Sequence, residues 1–178
     1  DAPVASADTY GSALKEDVDL LASGNVLLND ATSVRTVSSI DYDDEELTGD
    51  SITVTKVEAG NVLTGGFTGS AASVAANSTV SSNGRTVYGS YGSLIIGADG
   101  TYQYSLETSS GDSTRYSALQ ALTEGQAVTE VFTYEVSDEY GATSKTTLTI
   151  NLEGSNEPPV NTLPASVTTP QNTAHSFS

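Results

Sequence analysis

Cysteine, methionine and tryptophan are absent from the 178 residues, and basic side chains are scarce. Without cysteine the chain can form no disulfide, no thiolate metal site and no cysteine nucleophile. The 6 basic residues stand against 23 acidic ones, which gives a formal net charge of -17. Nucleic acids and anionic membranes require a positive surface, so neither is an expected partner. No run of residues is apolar enough to predict membrane insertion.

Histidine occurs once, as His175, so no histidine-based triad or zinc cluster can form. A carboxylate pair for glycoside hydrolysis is open on composition alone, but sugar-cleaving sites usually also have aromatic platforms, and tryptophan is absent. We therefore do not expect an enzyme. Charge this unbalanced in a folded domain is offset by bound cations or by high ambient salt, and regularly placed hydrophobic residues argue against disorder.

Period-two alternation of hydrophobic side chains indicates half-buried β-strands. Tyr102, Tyr104 and Tyr134 alternate in this way and are expected in the core. Thr133, Glu135, Thr147 and Thr149 are expected on a solvent-facing surface. The fold class that follows is an antiparallel all-β sandwich.

Turn signals divide the strands of this predicted sandwich. Asp99-Gly100 indicates a two-residue hairpin, Asn83-Gly84 a second turn, and residues 138–143 a connection between two antiparallel strands. Residues 65–84, rich in Gly, Ala and Ser, are predicted to be a long loop or a weak hairpin. One short helix is predicted from Ser113 to Leu122.

An acidic run lies between Ile40 and Asp50, with six carboxylates and no basic residue. Such charges repel one another unless water or a cation intervenes. The spacing of Asp41 and Asp43, with Asp44 beside them and Asp50 at the end, suits a hard cation that takes oxygen ligands from a loop. Calcium is the predicted ligand, and a solvated acidic loop is the alternative.

The two ends of the chain resemble each other. Asp1-Ala2-Pro3-Val4 is echoed by Glu157-Pro158-Pro159-Val160, a spacing of about 156 residues. That spacing fits one whole domain in a tandem array. We predict a single domain over residues 1–157, followed by a linker and the first strand of the next repeat over residues 158–178.

These features together resemble the VCBS-type and bacterial cadherin-like repeats of giant RTX adhesins. The matching pieces follow the same order along nearly the whole chain. They are Asp1–Val4 with Asp8–Tyr10, Asn25–Asp30, the acidic run with Asp50–Val54, Tyr91–Leu94, Ala98–Tyr104, Leu122 with Glu124-Gly125, Phe132–Asp138, Gly141–Ser144 and Gly154–Val160.

The resemblance implies an immunoglobulin- or cadherin-like β-sandwich that is secreted by a type I pathway and held on a Gram-negative cell surface. Such repeats serve as extenders, stiffened by Ca²⁺, that project a ligand-binding region for adhesion or biofilm formation. The implied partners are neighbouring repeats of the same chain, and the isolated domain is expected to be monomeric.

The resemblance also implies where the metal ligands lie. In cadherin-like repeats they come from an early acidic residue, an Asp-x-Asp loop and the acidic linker. The corresponding candidates in this chain are Glu16 or Asp17, then Asp41 and Asp43, then Asn156 and Glu157. Further candidates are Asp30, Asp44, Asp50 and Asp138. Asp99 and Asp138 are each as well suited to shaping turns as to binding metal.

At the junction, Asn156 and Glu157 are expected to share an ion with an acidic residue near Glu16 of the following repeat. Two positions depart from the family pattern: Glu157 stands where Asp is usual, and Gln171 where the next repeat usually supplies Glu. The rival to a spacer function is a carbohydrate- or peptide-binding module of the same kind of adhesin.

Overall fold

The structure is a computed structural model that describes residues 3–28 and 52–155. Its strands and single helix follow one another along the chain. They are β1 (Asp8–Thr9), β2 (Leu14–Lys15), β3 (Leu21–Asn25), β4 (Thr53–Ala59), β5 (Ala72–Ser73), β6 (Arg85–Tyr88), β7 (Gly92–Ile96), β8 (Thr101–Leu106), α1 (Ser113–Gln120), β9 (Ala127–Ser137) and β10 (Thr143–Glu153). Among these residues, no helix has the length and apolar character needed to cross a bilayer.

Two sheets form the predicted all-β sandwich, which is confirmed. One sheet has the order β1-β10-β9-β4-β5, with β2 also paired to β10, and the other has the order β3-β8-β7-β6. Most neighbours are antiparallel, but β1 and β2 both run parallel to β10. The parallel pairing carries the first part of the chain along β10 toward the end of the domain where β10 finishes.

Aromatic and aliphatic side chains from both sheets form one core. Tyr102, Tyr104 and Tyr134 are buried as expected, together with Leu148 on β10. The rings of Tyr104 and Phe132 join the two sheets, with their centroids 5.9 Å apart. Full burial of one such side chain contributes about 1.5–3 kcal/mol, so this core is the main source of stability.

Four residues separate β7 from β8, and three of them, residues 98–100, lie inside the closing pair of Gly97 and Thr101, so the predicted two-residue turn is wrong in length. The N–H of Gly97 donates to the carbonyl of Thr101 (2.8 Å), and the N–H of Gly100 donates to the carbonyl of Gly97 (3.1 Å). Gly100 has φ +78°. A turn that closes on a residue in this left-handed region is the usual three-residue hairpin, and it favours glycine there.

The helix is confirmed, although it is two residues shorter than predicted. Asp112 caps its first turn, because its carboxylate accepts hydrogen bonds from the N–H groups of Thr114 and Arg115, each at 3.0 Å. Leu119 is its buried residue.

The outer face of β9 and β10 is covered, so the predicted solvent-facing row is wrong at three of its four positions. Thr133, Glu135 and Thr147 are buried, and only Thr149 is half-buried. The chain from Gly60 to Thr68 crosses this face: the N–H of Val62 donates to Oγ1 of Thr133 (3.0 Å). The predicted loop of residues 65–84 thus begins as a cover on the sheet, and it contains β5, which pairs with β4.

The two ends of the sandwich are set by β9 and β10. We call the end with residues 138–142, which connect these strands, the hairpin end, and the end where β10 finishes at Glu153 the exit end. The N–H of Ala5 donates to Oγ of Ser144 (3.3 Å), so the chain enters near the hairpin end. The 11 residues of β10 separate the two ends by roughly 35 Å.

Candidate functional site

Glu16 lies at the exit end because β2 pairs with the last residues of β10. Leu14 and Lys15 are in register with Leu152 and Glu153, and the N–H of Glu16 donates to the carbonyl of Glu153 (3.3 Å). The Glu16 side chain is only 1% exposed. Its carboxylate accepts a hydrogen bond from the side-chain amide of Gln120 on α1, so the helix and the exit end are joined through this acid.

Asp17 follows Glu16 in an exposed turn and has φ +61°. Both acids line a small cavity of about 130 Å³. A third carboxylate at this cavity, that of Glu107, is held by Arg115, whose Nε donates to it at 2.8 Å. Glu16 and Asp17 therefore bring two further carboxylates to the cavity, beside that of Glu107.

The ion pair between Arg115 and Glu107 shifts the pKa of each group in the direction that favours its charged form. Burial opposes the shift, but the hydrogen bonds from Arg115 and Thr108 and the Arg115 charge lower the pKa of Glu107. The hydrogen bond to Glu107, against the effect of burial, raises the pKa of Arg115. Glu107 is thus ionised and paired near neutral pH.

Asp138 lies at the hairpin end, where it shapes the turn. Its Oδ1 accepts hydrogen bonds from the N–H groups of Tyr140 (2.9 Å) and Ala142 (2.8 Å). The residue is 7% exposed, and its Oδ2 has no hydrogen-bond partner among the residues that the structure describes. A buried carboxylate oxygen without a partner is costly, so Oδ2 fits a cation ligand better than a purely structural group.

Asp99, the other acid that is suited to a turn, is exposed and bonded within its own loop. Its Oδ1 accepts hydrogen bonds from the N–H of Thr101 (3.0 Å) and from the Thr101 hydroxyl (2.6 Å). Asp99 and Asp138 therefore both shape turns. Of these two acids only Asp138 also has a buried oxygen, Oδ2, without a hydrogen-bond partner among the described residues.

The predicted ligands fall into two groups at opposite ends of the sandwich. Glu16 and Asp17 come together at the exit end, and Asp138 lies at the hairpin end. No group of three or more acidic or histidine side chains within residues 3–28 and 52–155 is placed to hold a metal. Calcium takes six to eight oxygens, so the described residues supply only part of a site at either end. The other candidates lie outside the described residues and stay predictions: Asp30, Asp41, Asp43, Asp44, Asp50, Asn156 and Glu157.

The expected junction, in which an acidic residue near Glu16 shares an ion with the linker of a preceding repeat, stays a prediction. Within this chain the backbone N–H of Glu16 donates to the carbonyl of Glu153, near the end of β10. Glu16 therefore lies close to the point from which the chain continues to the candidate ligands Asn156 and Glu157.

Sequence reasoning did not single out the acids that are buried inside the sandwich. Glu130 is 5% exposed, and its carboxylate accepts hydrogen bonds from the Tyr104 hydroxyl and the Ser90 N–H. Burial, followed by the charge of Glu130, raises the pKa of Tyr104, so the phenol stays protonated and donates. Asp8 accepts from the Tyr134 hydroxyl at 2.5 Å. The alternation along β9 could have predicted the burial of Glu130, because its side chain points to the same face as those of Phe132 and Tyr134.

No protein-family model matches the chain, and no curated protein matches it significantly. The resemblance to adhesin repeats therefore stays a prediction from the residues quoted above.

Proposed function

We propose that the protein is a non-catalytic, calcium-binding extender repeat of a bacterial surface adhesin, secreted to the cell exterior and rigidified by Ca²⁺. The observation that carries the proposal is the separation of the two ends. The chain enters beside Ser144 near the hairpin end and leaves after Glu153 at the exit end. A domain with this path adds its full length to a linear array, which is what a spacer requires.

The positions of the candidate ligands support a metal at each junction. In a linear array, the exit end of one repeat faces the hairpin end of the next. Glu16 and Asp17 of the first repeat, with Asn156 and Glu157 beyond them, would then face Asp138 of the second. Among the described residues each end alone offers too few oxygens for Ca²⁺, and the two ends together offer a larger set.

Electrostatics supplies the reason that calcium would stiffen such an array. Acidic ends repel each other when no cation is present, and the linker then samples many angles. A shared ion replaces this repulsion with attraction and fixes the angle. Proline in the linker limits the bending that remains.

Small-angle scattering on a tandem protein tests this proposal. Ala5 of a second copy would follow Val160 of the first, which preserves Asn156 and Glu157. We expect millimolar Ca²⁺ to increase the maximum dimension relative to EDTA, and Mg²⁺ at equal ionic strength to have a smaller effect, because it binds such flexible oxygen sites less readily. A maximum dimension that does not change between EDTA and Ca²⁺ would refute the stiffening.

A further inference from the structure

A cleft of about 510 Å³ lies between the end of β4 and the turn after β6. Its volume is in the range of pockets that bind small organic molecules. The side chains around it mix one aromatic ring, that of Tyr88, with polar groups from Asn61, Ser90 and Thr129. Glu130, which is buried, also lines the cleft.

Part of the cleft wall is an open edge of β9. Strand β4 pairs with β9 only from Ser137 to Phe132, whereas β9 continues to Ala127. The N–H of Gly60 donates to the carbonyl of Val131 (2.7 Å), so odd-numbered residues of β9 direct their backbone groups to this side. Thr129 is the next odd-numbered residue, and among the described strands none lies beside it here.

Tyr88 presents a preorganised aromatic surface at the rim of the cleft. The residue is 61% exposed. The guanidinium of Arg115 lies 4.5 Å from the centre of its ring, and Arg115 is itself anchored by Glu107. A ring that is held in this way loses little freedom when a ligand packs on it.

We propose that this cleft binds a neutral pyranose sugar. A pyranose combines an apolar C–H face, which packs on an aromatic ring, with hydroxyls that both donate and accept. Hydrogen-bond donors and acceptors for such a sugar come from the Asn61 amide, from the hydroxyls of Ser90 and Thr129 and from the open backbone edge of β9. The Glu130 carboxylate and the net charge of -17 disfavour an anionic ligand.

A strand-forming peptide fits the cleft less well. Strand pairing usually extends over about five to six residues on each strand. The carbonyl of Val131 already accepts from Gly60, so the open edge runs only from Ala127 to Glu130, and of its residues only Ala127 and Thr129 point their backbone groups outward. A sugar needs just a few such groups, so the size of the open edge favours it. This inference does not depend on calcium binding at the ends.

The test is an NMR titration of the ¹⁵N-labelled full chain with methyl glycosides of glucose, galactose, mannose and N-acetylglucosamine. We expect at least one of them to shift the amide signals of Asn61, Ser90 and Thr129, with millimolar affinity for a ligand this small. Glucuronate should bind about tenfold more weakly than the matching neutral sugar.

Variants at Tyr88 test whether its aromatic ring contributes to sugar binding. Tyr88→Ala should weaken binding about tenfold, and Tyr88→Phe should retain it. Tyr140→Ala, which removes an exposed tyrosine at the opposite end, should change nothing. Absence of cleft shifts with all four sugars would overturn the proposal, as would equal binding of glucuronate or unchanged affinity in Tyr88→Ala. A Thr-Val-Thr-Val-Thr peptide that shifts these signals when the sugars do not would identify the cleft as a strand-pairing edge instead.

Discussion

Replacement of Glu130 by leucine tests how the two sheets are held together. Glu130 belongs to β9, whereas its donors belong to the other sheet: the Tyr104 hydroxyl on β8, and the N–H groups of Ser90 and Tyr91 before β7. Leucine is similar in size but accepts no hydrogen bond. The substitution therefore leaves the fully buried Tyr104 hydroxyl without its acceptor and weakens the contact to the turn at Ser90.

The expected loss is about 3–5 kcal/mol, because each buried donor left unsatisfied costs about 1–3 kcal/mol and more than one is affected. Tyr104→Phe alone removes one hydrogen bond to a charged acceptor, which is about 1.5–3 kcal/mol. In the Glu130→Leu background the same change removes the unsatisfied hydroxyl, so its cost should nearly vanish.

Urea unfolding, followed by circular dichroism in constant calcium, measures the free energy of unfolding of all four proteins in this cycle. We expect a coupling energy of about 1–3 kcal/mol between the two positions. Additive losses would refute the reasoning, since they would mean that Glu130 and Tyr104 do not interact across the sheets.

Three further predictions follow from single positions. Gly89→Ala places a Cβ against the carboxyl group of Glu130 and should cost about 1–3 kcal/mol by urea unfolding, whereas Gly69→Ala, which meets nothing within 4 Å, should be nearly neutral. Because the folded-state pKa of Glu107 is lowered, its contribution to stability is present above its ordinary value of 4.5 and is lost as the pH falls further. Arg115→Gln should reduce this acid sensitivity in thermal melts from pH 7 to pH 3, and an unchanged pH profile would contradict it. Asp138→Asn keeps an oxygen for the N–H groups of Tyr140 and Ala142 but replaces Oδ2 by an amide nitrogen, which cannot bind a cation, so it should diminish the gain in melting temperature from calcium; an undiminished gain would argue against a cation at Asp138.

Local alternation predicted the strands and the inward-facing tyrosines, because side-chain direction in a strand depends on neighbouring residues alone. The same rule failed on the outer face of β9. Alternation along β9 places Thr133 on the outer face of the sheet. The segment that covers it there, residues 60–68, lies more than sixty positions away in the sequence. Nothing in the residues around Thr133 encodes that cover.

The bulge in β4 had no signal in the sequence either. The register against β9 shifts between Val54 and Lys56, so Val57 rather than Lys56 points inward after Val54. Strict alternation from Val54 would have buried the lysine. A bulge adds one residue to one strand, and the partner strand determines where it falls.

The candidate metal ligands were identifiable by residue type, but their arrangement was not. Glu16 and Asp138 could be proposed as ligands from their chemistry and from the family resemblance. Their separation to opposite ends follows from the parallel pairing of β2 with the end of β10, which joins residues that are far apart in the chain. Only that topology shows that the two acids lie at opposite ends of the sandwich.

Calcium binding is the central claim, and calorimetric titration of the metal-free chain with Ca²⁺ tests it most directly, paired with thermal melts of the same samples. We predict saturable heat of binding and a higher melting temperature in Ca²⁺ than in EDTA, since one site at a hundred times its dissociation constant adds about 2.7 kcal/mol. The double substitution Asp41→Asn and Asp43→Asn should remove most of that gain. Absence of binding heat, together with equal melting temperatures in EDTA and in millimolar Ca²⁺, would contradict the account.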